Sequence, residues 1–186
     1  AVLEDMLGDT LAGRYTTPRE AFEYRRDAFF DTYREEAEYF DDNDDYRPSF
    51  DQSISMEVYY NDGRQLTLGY TAYAYTGGAH GNYGTELVTY DAADRRRLTL
   101  ADVFKPGYEK ALRPLLNAAA RDYFELAPGE PLSGMLFEDE VSPTENFGLT
   151  GGGILFDYMP YEIGPYAAGE IQLFIPFTEV EELLRK

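Results

Sequence analysis

The feature that most restricts the fold is a pair of alternating apolar and polar runs at residues 53–75, on either side of a turn signal. In the first run every second residue is apolar or aromatic: Ile54, Met56, Val58 and Tyr60. Such alternation is typical of a strand, because successive side chains point to opposite faces. Residues 61–63 are Asn-Asp-Gly, and the alternation resumes at Leu66. The segment therefore predicts a β-hairpin.

A long helix is predicted before the hairpin, over residues 17–40. Thr17 is the expected N-cap, Pro18 suits the first helical position, and Glu20 completes a capping box. The helix is expected to end in the acidic run that starts at Asp41, because Asp and Asn are poor interior helix formers.

The rest of the chain adds strands and two further helices. A helix is predicted over residues 108–125, with Pro114 marking a kink or the true start. Thr178 is expected to cap a short C-terminal helix. Further strands are predicted at 86–91 and 170–177, and two apolar stretches, 147–149 and 154–158, lie on either side of three glycines at 151–153. The expected class is α+β, with a mainly antiparallel sheet of about six strands, two main helices and the short C-terminal helix.

The charge of the chain excludes one class of partner. There are 35 acidic and 16 basic side chains, a net charge of -19, and no basic residue lies between Arg121 and Arg185. Nucleic-acid binding depends on Lys and Arg at the phosphates, so we expect no nucleic-acid partner. Adaptation of the surface to high salt and an ordinary acidic surface in an Arg-favouring genome both remain open as explanations.

Residue types that are missing exclude several kinds of site. The chain has no cysteine and one histidine, His80. Thiolate zinc sites, disulfides and multi-histidine metal sites are therefore impossible within one chain. No apolar run is long enough for a membrane helix, so no transmembrane segment is expected in this chain. We expect no cofactor and no metal.

The acidic run resembles a calcium loop only at its start. Asp41, Asn43 and Asp45 match the first ligand positions of an EF-hand, but Tyr46 stands at the obligatory glycine and Gln52 at the bidentate glutamate. A solvated acidic loop is the preferred interpretation.

Two loops are the candidate functional segments. Residues 76–84 are rich in glycine and contain His80 and Tyr83, but they lack the spacing of a nucleotide-binding loop. For His80 a structural hydrogen bond is the preferred interpretation over a general base. Residues 157–169 alternate tyrosine with proline and glycine, which indicates either a recognition surface or a loop packed on its own sheet.

Three stretches in this order resemble a known family. They are residues 75–81 (YTGGAHG), residues 98–107 (LTLADVFKPG) and residues 160–169 (PYEIGPYAAG), the last followed by IPF at 175–177. The combination resembles the domain of unknown function 3298, which forms the C-terminal part of the extracytoplasmic regions of the anti-sigma-V factor and of peptidoglycan deacetylase C. The resemblance covers about residues 50–186.

The resemblance implies a non-catalytic domain of the bacterial cell envelope, located outside the cytoplasm. In the anti-sigma-V relatives this region binds lysozyme, and in the deacetylase relatives catalysis belongs to a separate domain. It also implies that residues 51–186 are the main domain and that residues 1–50 are a helical segment, the end of a preceding region packed on it.

Three functional hypotheses follow. The first is a recognition or sensor domain for a cationic protein such as lysozyme, because acidic side chains around aromatic anchors attract cations. Its expected surface consists of Tyr158, Tyr161, Pro165 and Tyr166, with His80 and Tyr83. The second is a module that binds peptidoglycan or another glycan, and the third is an envelope hydrolase that uses His80. The oligomeric state is left open.

Overall fold

The computed structural model describes residues 14–15, 17–38 and 49–185. The chain forms two compact units. One contains Ala1–Ser53 and Tyr73–Asn82, and the other contains Ile54–Ala72 and Tyr83–Lys186.

The first unit contains the long helix α1, Pro18–Ala37. Its capping box is present as predicted: the Glu20 N–H donates to the Thr17 hydroxyl at 3.3 Å, and the Thr17 N–H donates to the Glu20 carboxylate at 3.2 Å. In the same unit the rings of Phe29 and Tyr33 contact Phe50, with centroids 6.2 and 5.2 Å away. The predicted helix end and the acidic run at 41–45 lie outside the described residues.

The first sheet has the strand order β1-β2-β3-β4. The strands are β1 (Asp51–Asn61), β2 (Gln65–Tyr75), β3 (Asn82–Asp91) and β4 (Arg96–Arg97). The predicted hairpin is therefore confirmed. In its turn the Asp62 carboxylate accepts the N–H groups of Arg64 and Gln65, at 2.8 and 2.7 Å, and these bonds lower the pKa of Asp62.

The second sheet lies wholly in the second unit. It has the order β5-β6-β7 and is antiparallel, with β5 (Phe147–Leu149), β6 (Gly153–Tyr158) and β7 (Ile171–Pro176). The helices of this part are α2 (Leu100–Val103), α3 (Tyr108–Tyr123) and α4 (Phe177–Val180). Two antiparallel sheets with two main helices confirm the α+β class.

One face of the second sheet forms the main core. Along β7, alternate residues Ile171, Leu173 and Ile175 are buried, as expected of a strand with one apolar face. Helix α3 packs against β7, and its buried residues Leu112, Leu116 and Ala120 are four positions apart. That spacing places them on one side of the helix. Pro114 lies inside α3 and marks neither its start nor its end.

A layer of threonine hydroxyls from strands β2 and β3 bonds to the backbone at the outer edge of β5. The Thr67 hydroxyl donates to the Leu149 carbonyl at 2.6 Å, and the Leu149 N–H donates to the Thr89 hydroxyl oxygen at 3.0 Å. The two hydroxyls are 2.9 Å apart. Because Thr67 uses its proton on Leu149, Thr89 is the donor between them. All these buried polar atoms are thereby satisfied.

Two sequence predictions about the C-terminal third are wrong in detail. Helix α4 begins at Phe177 with Pro176 at its N-cap and no side-chain cap, so Thr178 lies inside the helix. Tyr158 is the last residue of β6 and not a loop residue. Of the helices described, none has the length and apolar character needed to cross a membrane.

Candidate functional site

The tyrosine-rich loop begins with a tight turn at residues 159–162. The Glu162 N–H donates to the Met159 carbonyl at 3.0 Å, and the Met159 N–H donates to the Glu162 carboxylate at 3.0 Å. Pro160 and Tyr161 are the central residues, and Tyr161 has a φ of 71°. Positive φ at the third position and proline at the second are typical of a type II turn. The turn presents Tyr161, which is 55% exposed.

Three tyrosine rings from two distant segments form an aromatic cluster, defined here as Tyr83, Tyr161 and Tyr166. The ring centroids of Tyr83 and Tyr166 are 5.9 Å apart at an angle of 76°, and those of Tyr161 and Tyr166 are 5.6 Å apart. These separations lie in the favourable range for aromatic pairs. Tyr83 and Tyr166 are half-buried, and Pro165 is exposed. Four of the six predicted surface residues thus lie together.

Two glycines allow the segments that carry the aromatic cluster to pack closely against each other. A Cβ on Gly84 would lie 2.9 Å from both Cγ and Sδ of Met159, and one on Gly169 would lie 3.3 Å from the Tyr83 hydroxyl. Gly169 also has a φ of 73°, which favours glycine. The two positions therefore allow β3 and the loop to approach closely.

The prediction that Tyr158 is part of the binding surface is wrong. Its side chain is 1% exposed, and its hydroxyl donates to the Ser142 carbonyl at 2.8 Å. Burial raises the pKa of its phenol. Tyr158 is therefore a core residue with a satisfied hydroxyl and presents no surface to a partner.

His80 belongs to the first unit, in the loop between β2 and β3. The residue is exposed, and its Nδ1 lies 3.0 Å from the Gly81 carbonyl oxygen. In the same loop the Tyr75 hydroxyl donates to the Gly78 carbonyl at 3.0 Å. A ring nitrogen bonded to a neighbouring carbonyl suits the structural interpretation of this histidine. Its membership of the binding surface stays a prediction.

A carboxyl pair, the buried Asp157 and the half-buried Glu170, lies at the two ends of the same loop. Asp157 is 0% exposed and accepts the Gln172 amide at 2.7 Å through Oδ2. Burial, together with the neighbouring Glu170 and Glu162, raises the pKa of Asp157 to about 8, against the lowering effect of the hydrogen bond from Gln172. Asp157 therefore holds a proton at neutral pH.

Glu170 has a different environment from its partner. Its carboxylate accepts the N–H of Thr85 through Oε1 and the Thr85 hydroxyl at 3.2 Å through Oε2. The Glu170 carbonyl accepts the Tyr123 hydroxyl at 3.2 Å. Across residues 14–15, 17–38 and 49–185, no group of three or more potential ligand side chains is placed to hold a metal ion.

Sequence reasoning missed the carboxyl pair, Gln172 and Thr85. One signal was available: Asp157 is the only charged residue in the apolar strand GILFDY, and a charge in a buried strand is rare unless it is paired. Glu170 carried no such signal among 35 acidic residues.

Two family models match different parts of the chain. Residues 101–178 match a model described as "Protein of unknown function (DUF3298)", and residues 8–83 match one described as "Deacetylase PdaC". The comparisons support the DUF3298 resemblance. They also support an uncharacterised domain of the extracytoplasmic type. The PdaC match includes the N-terminal residues that the sequence resemblance did not cover.

Two solved structures are similar to the chain. A DUF3298 family member from Bacteroides fragilis matches with a TM-score of 0.85 and 28% identity, over 99% of this chain and 75% of that one. A DUF3298 family protein from Pseudomonas aeruginosa matches with a TM-score of 0.55 and 22% identity, over 76% of this chain and 65% of that one. The second likeness concerns the fold alone. Among curated proteins, none matches this chain.

Proposed function

We propose that this chain is an extracytoplasmic recognition domain that binds a cationic protein through its aromatic cluster. The observation that carries the proposal is the assembly of Tyr83, Tyr161 and Tyr166 at one surface, with Tyr161 more than half exposed. Tyrosine is enriched at binding hot spots because it offers a large, rigid contact area with a polar end.

Charge supports a cationic partner. The loop that carries Tyr161 and Tyr166 lies in a stretch without any basic residue, from Asp122 to Leu184. Glu162 is exposed next to Tyr161, and Glu170 follows the loop. Acidic side chains around aromatic anchors increase the rate of encounter with a basic protein. The recognition role needs no catalysis by this chain.

The sequence resemblance suggests the probe, since the anti-sigma-V relatives bind lysozyme. We expect a basic lysozyme to bind the full chain and to bind less tightly as salt rises, because salt screens exposed charges. Calorimetric titration at several ionic strengths measures this. Absence of binding at low salt excludes lysozyme as the partner. Binding of peptidoglycan fragments with little salt dependence would indicate the glycan-binding alternative instead.

Variants locate the surface. Tyr161→Ala and Tyr166→Ala are each expected to weaken lysozyme binding by about tenfold or more, as for other truncated hot-spot residues. Phe174→Ala is the matched control, because Phe174 is 46% exposed on β7 and lies toward the Gly153 end of the β6–β7 pair. Equal losses for the control and the cluster variants contradict the proposed surface.

A further inference from the structure

One oxygen of Asp157 lacks a hydrogen-bond donor. Oδ2 accepts the Gln172 amide, but Oδ1 is buried and has no hydrogen-bond partner among the described residues. A bare ionised oxygen in the interior is costly. Protonation of Oδ1 removes the charge and converts that oxygen into a donor.

Glu170 is the neighbouring carboxyl group that can accept a hydrogen bond from a protonated Asp157. Its carboxylate lies within hydrogen-bonding range of the Asp157 side chain. Two carboxyl groups can form a hydrogen bond only when one of them carries a proton. Thr85 donates two hydrogen bonds to Glu170, whereas Oδ1 of Asp157 receives none among the described residues, so Asp157 is the group that needs the proton.

The Asp157–Glu170 pair lies where the tyrosine-rich loop, residues 159–169, begins and ends. Asp157 pairs with Gln172 across β6 and β7, and the loop at 159–169 starts and ends beside this ladder. Through Thr85, Glu170 also holds the start of β3, two residues after Tyr83. Both segments that contribute to the aromatic cluster are thus attached to the same carboxyl pair.

We propose that Asp157 and Glu170 form a proton-dependent latch, which keeps the aromatic cluster assembled while they share a proton and loosens it when the proton is lost. Without the proton, two adjacent negative charges repel each other, and Glu170, which is partly exposed, can turn toward solvent. The N–H and hydroxyl of Thr85 then lose their acceptor. The start of β3, which carries Tyr83, is no longer held in place. The effect on a partner rests on the function proposed above.

Other titratable groups act on the pair in the same direction. Glu162 from the loop raises the pKa of Asp157. From β1, Tyr59 faces both carboxyl groups, and Glu57 also acts on Tyr59. Because the acidic neighbours all favour the protonated form of Asp157, the latch is expected to open above neutral pH.

The first test needs no ligand. Ring resonances of ¹³C-labelled tyrosines are followed by NMR in the full chain, from about pH 6 to about pH 9, below the usual tyrosine pKa of about 10. We expect the resonances of Tyr83 and Tyr166 to change together with a midpoint near 8. In Asp157→Asn we expect them to stay constant, because an asparagine amide can replace the shared proton as donor.

Two further variants make this test decisive. Glu170→Gln is also expected to remove the transition from this pH range, since the glutamine amide can donate to an ionised Asp157. This variant replaces Asp157→Asn in the test if Asp157→Asn does not fold. Glu109→Gln is the control, since Glu109 is in the first turn of α3 and Tyr123, bonded to Glu170, is in the last. These ends are about 21 Å apart. A transition that persists in Asp157→Asn or Glu170→Gln, or one that Glu109→Gln also abolishes, overturns the latch.

The second test uses a basic lysozyme as probe. Only the latched form is expected to bind, so the apparent Kd of the unsubstituted chain should rise about tenfold between about pH 6 and about pH 9. It should rise much less in Asp157→Asn, which corrects for titration of the probe itself. If no variant binds but the NMR transition occurs as expected, the proposed partner is wrong and the latch stands. A flat NMR titration, or pH dependence equal in both proteins, overturns the latch.

Discussion

Tyr161 has a backbone conformation that tyrosine rarely adopts. Its φ of 71° is that of the left-handed region, which costs a residue with a Cβ roughly 1 kcal/mol. Glycine or asparagine is usual at this turn position. Strain of this kind is often found at binding sites, where the side chain is needed despite its cost to stability.

Replacing Tyr161 separates stability from recognition. Tyr161→Gly is expected to have a free energy of unfolding about 1 kcal/mol higher than Tyr161→Ala, because only glycine accepts positive φ without strain. Both variants lose the ring and should bind lysozyme equally weakly. Urea unfolding and calorimetric titration measure the two effects. If the alanine variant is the more stable one, the backbone is not strained at this position.

Asp157 makes stability depend on pH in an unusual direction. Its pKa in the folded chain is about 8, whereas an unfolded aspartate has about 3.9. Between these values the folded state binds the additional proton, so the free energy of unfolding falls as pH rises, by about 1.4 kcal/mol per pH unit. The stabilisation that the Asp157 proton contributes to the folded state begins to fall above about pH 4 and is lost by about pH 8.

The variant Asp157→Asn should lack this contribution. Urea unfolding between about pH 5 and about pH 8 is expected to show a slope shallower by about 1.4 kcal/mol per pH unit than that of the unsubstituted chain. Glu109→Gln, an exposed acid on α3, should keep the original slope. Parallel curves for the unsubstituted chain and Asp157→Asn would show that Asp157 is ionised throughout this range.

At the scale of elements, the threonine layer joins the two sheets. Thr89→Val keeps the side-chain shape but leaves the buried N–H of Leu149 without an acceptor. We expect a loss of about 1–3 kcal/mol in the free energy of unfolding, the usual cost of an unsatisfied buried polar group. Thr178→Val on the exposed side of α4 is the control, with an expected change within about 0.5 kcal/mol. Similar values for both variants contradict the role of the layer.

Elements governed by local chemistry could be predicted from the sequence. The hairpin followed from alternation around Asn-Asp-Gly, and the start of α1 followed from Thr17, Pro18 and Glu20, since each signal lies within a few residues. The start of α4 was misplaced by the signal at Thr178, because β7 continues to Pro176 and the helix follows directly.

The candidate site was only partly predictable, because burial is set by distant residues. Tyr158 and Tyr161 have the same side chain and similar neighbours in sequence, yet one is buried and the other is exposed. The bond from Thr85 to Glu170 joins positions 85 residues apart, and no local pattern indicates it.

At the scale of the whole molecule, net charge opposes folding. A charge of -19 produces self-repulsion, which salt screens. Raising ionic strength from about 0.05 M to about 1 M is expected to stabilise the chain by about 1 kcal/mol or more, or about 2–4 °C in Tm. Sodium chloride and choline chloride should act equally. Stabilisation by sodium alone indicates a specific cation site, and destabilisation by both salts contradicts the repulsion.

The contact between Tyr83 and Tyr166 has a consequence for how the surface arises during folding. The two rings are 83 positions apart in the chain, and contacts of such long range form only after a large loop has closed. A chain emerging during synthesis has no such surface until β7 is in place. Under the proposed function, fragments ending before the second sheet are therefore expected not to compete for the partner.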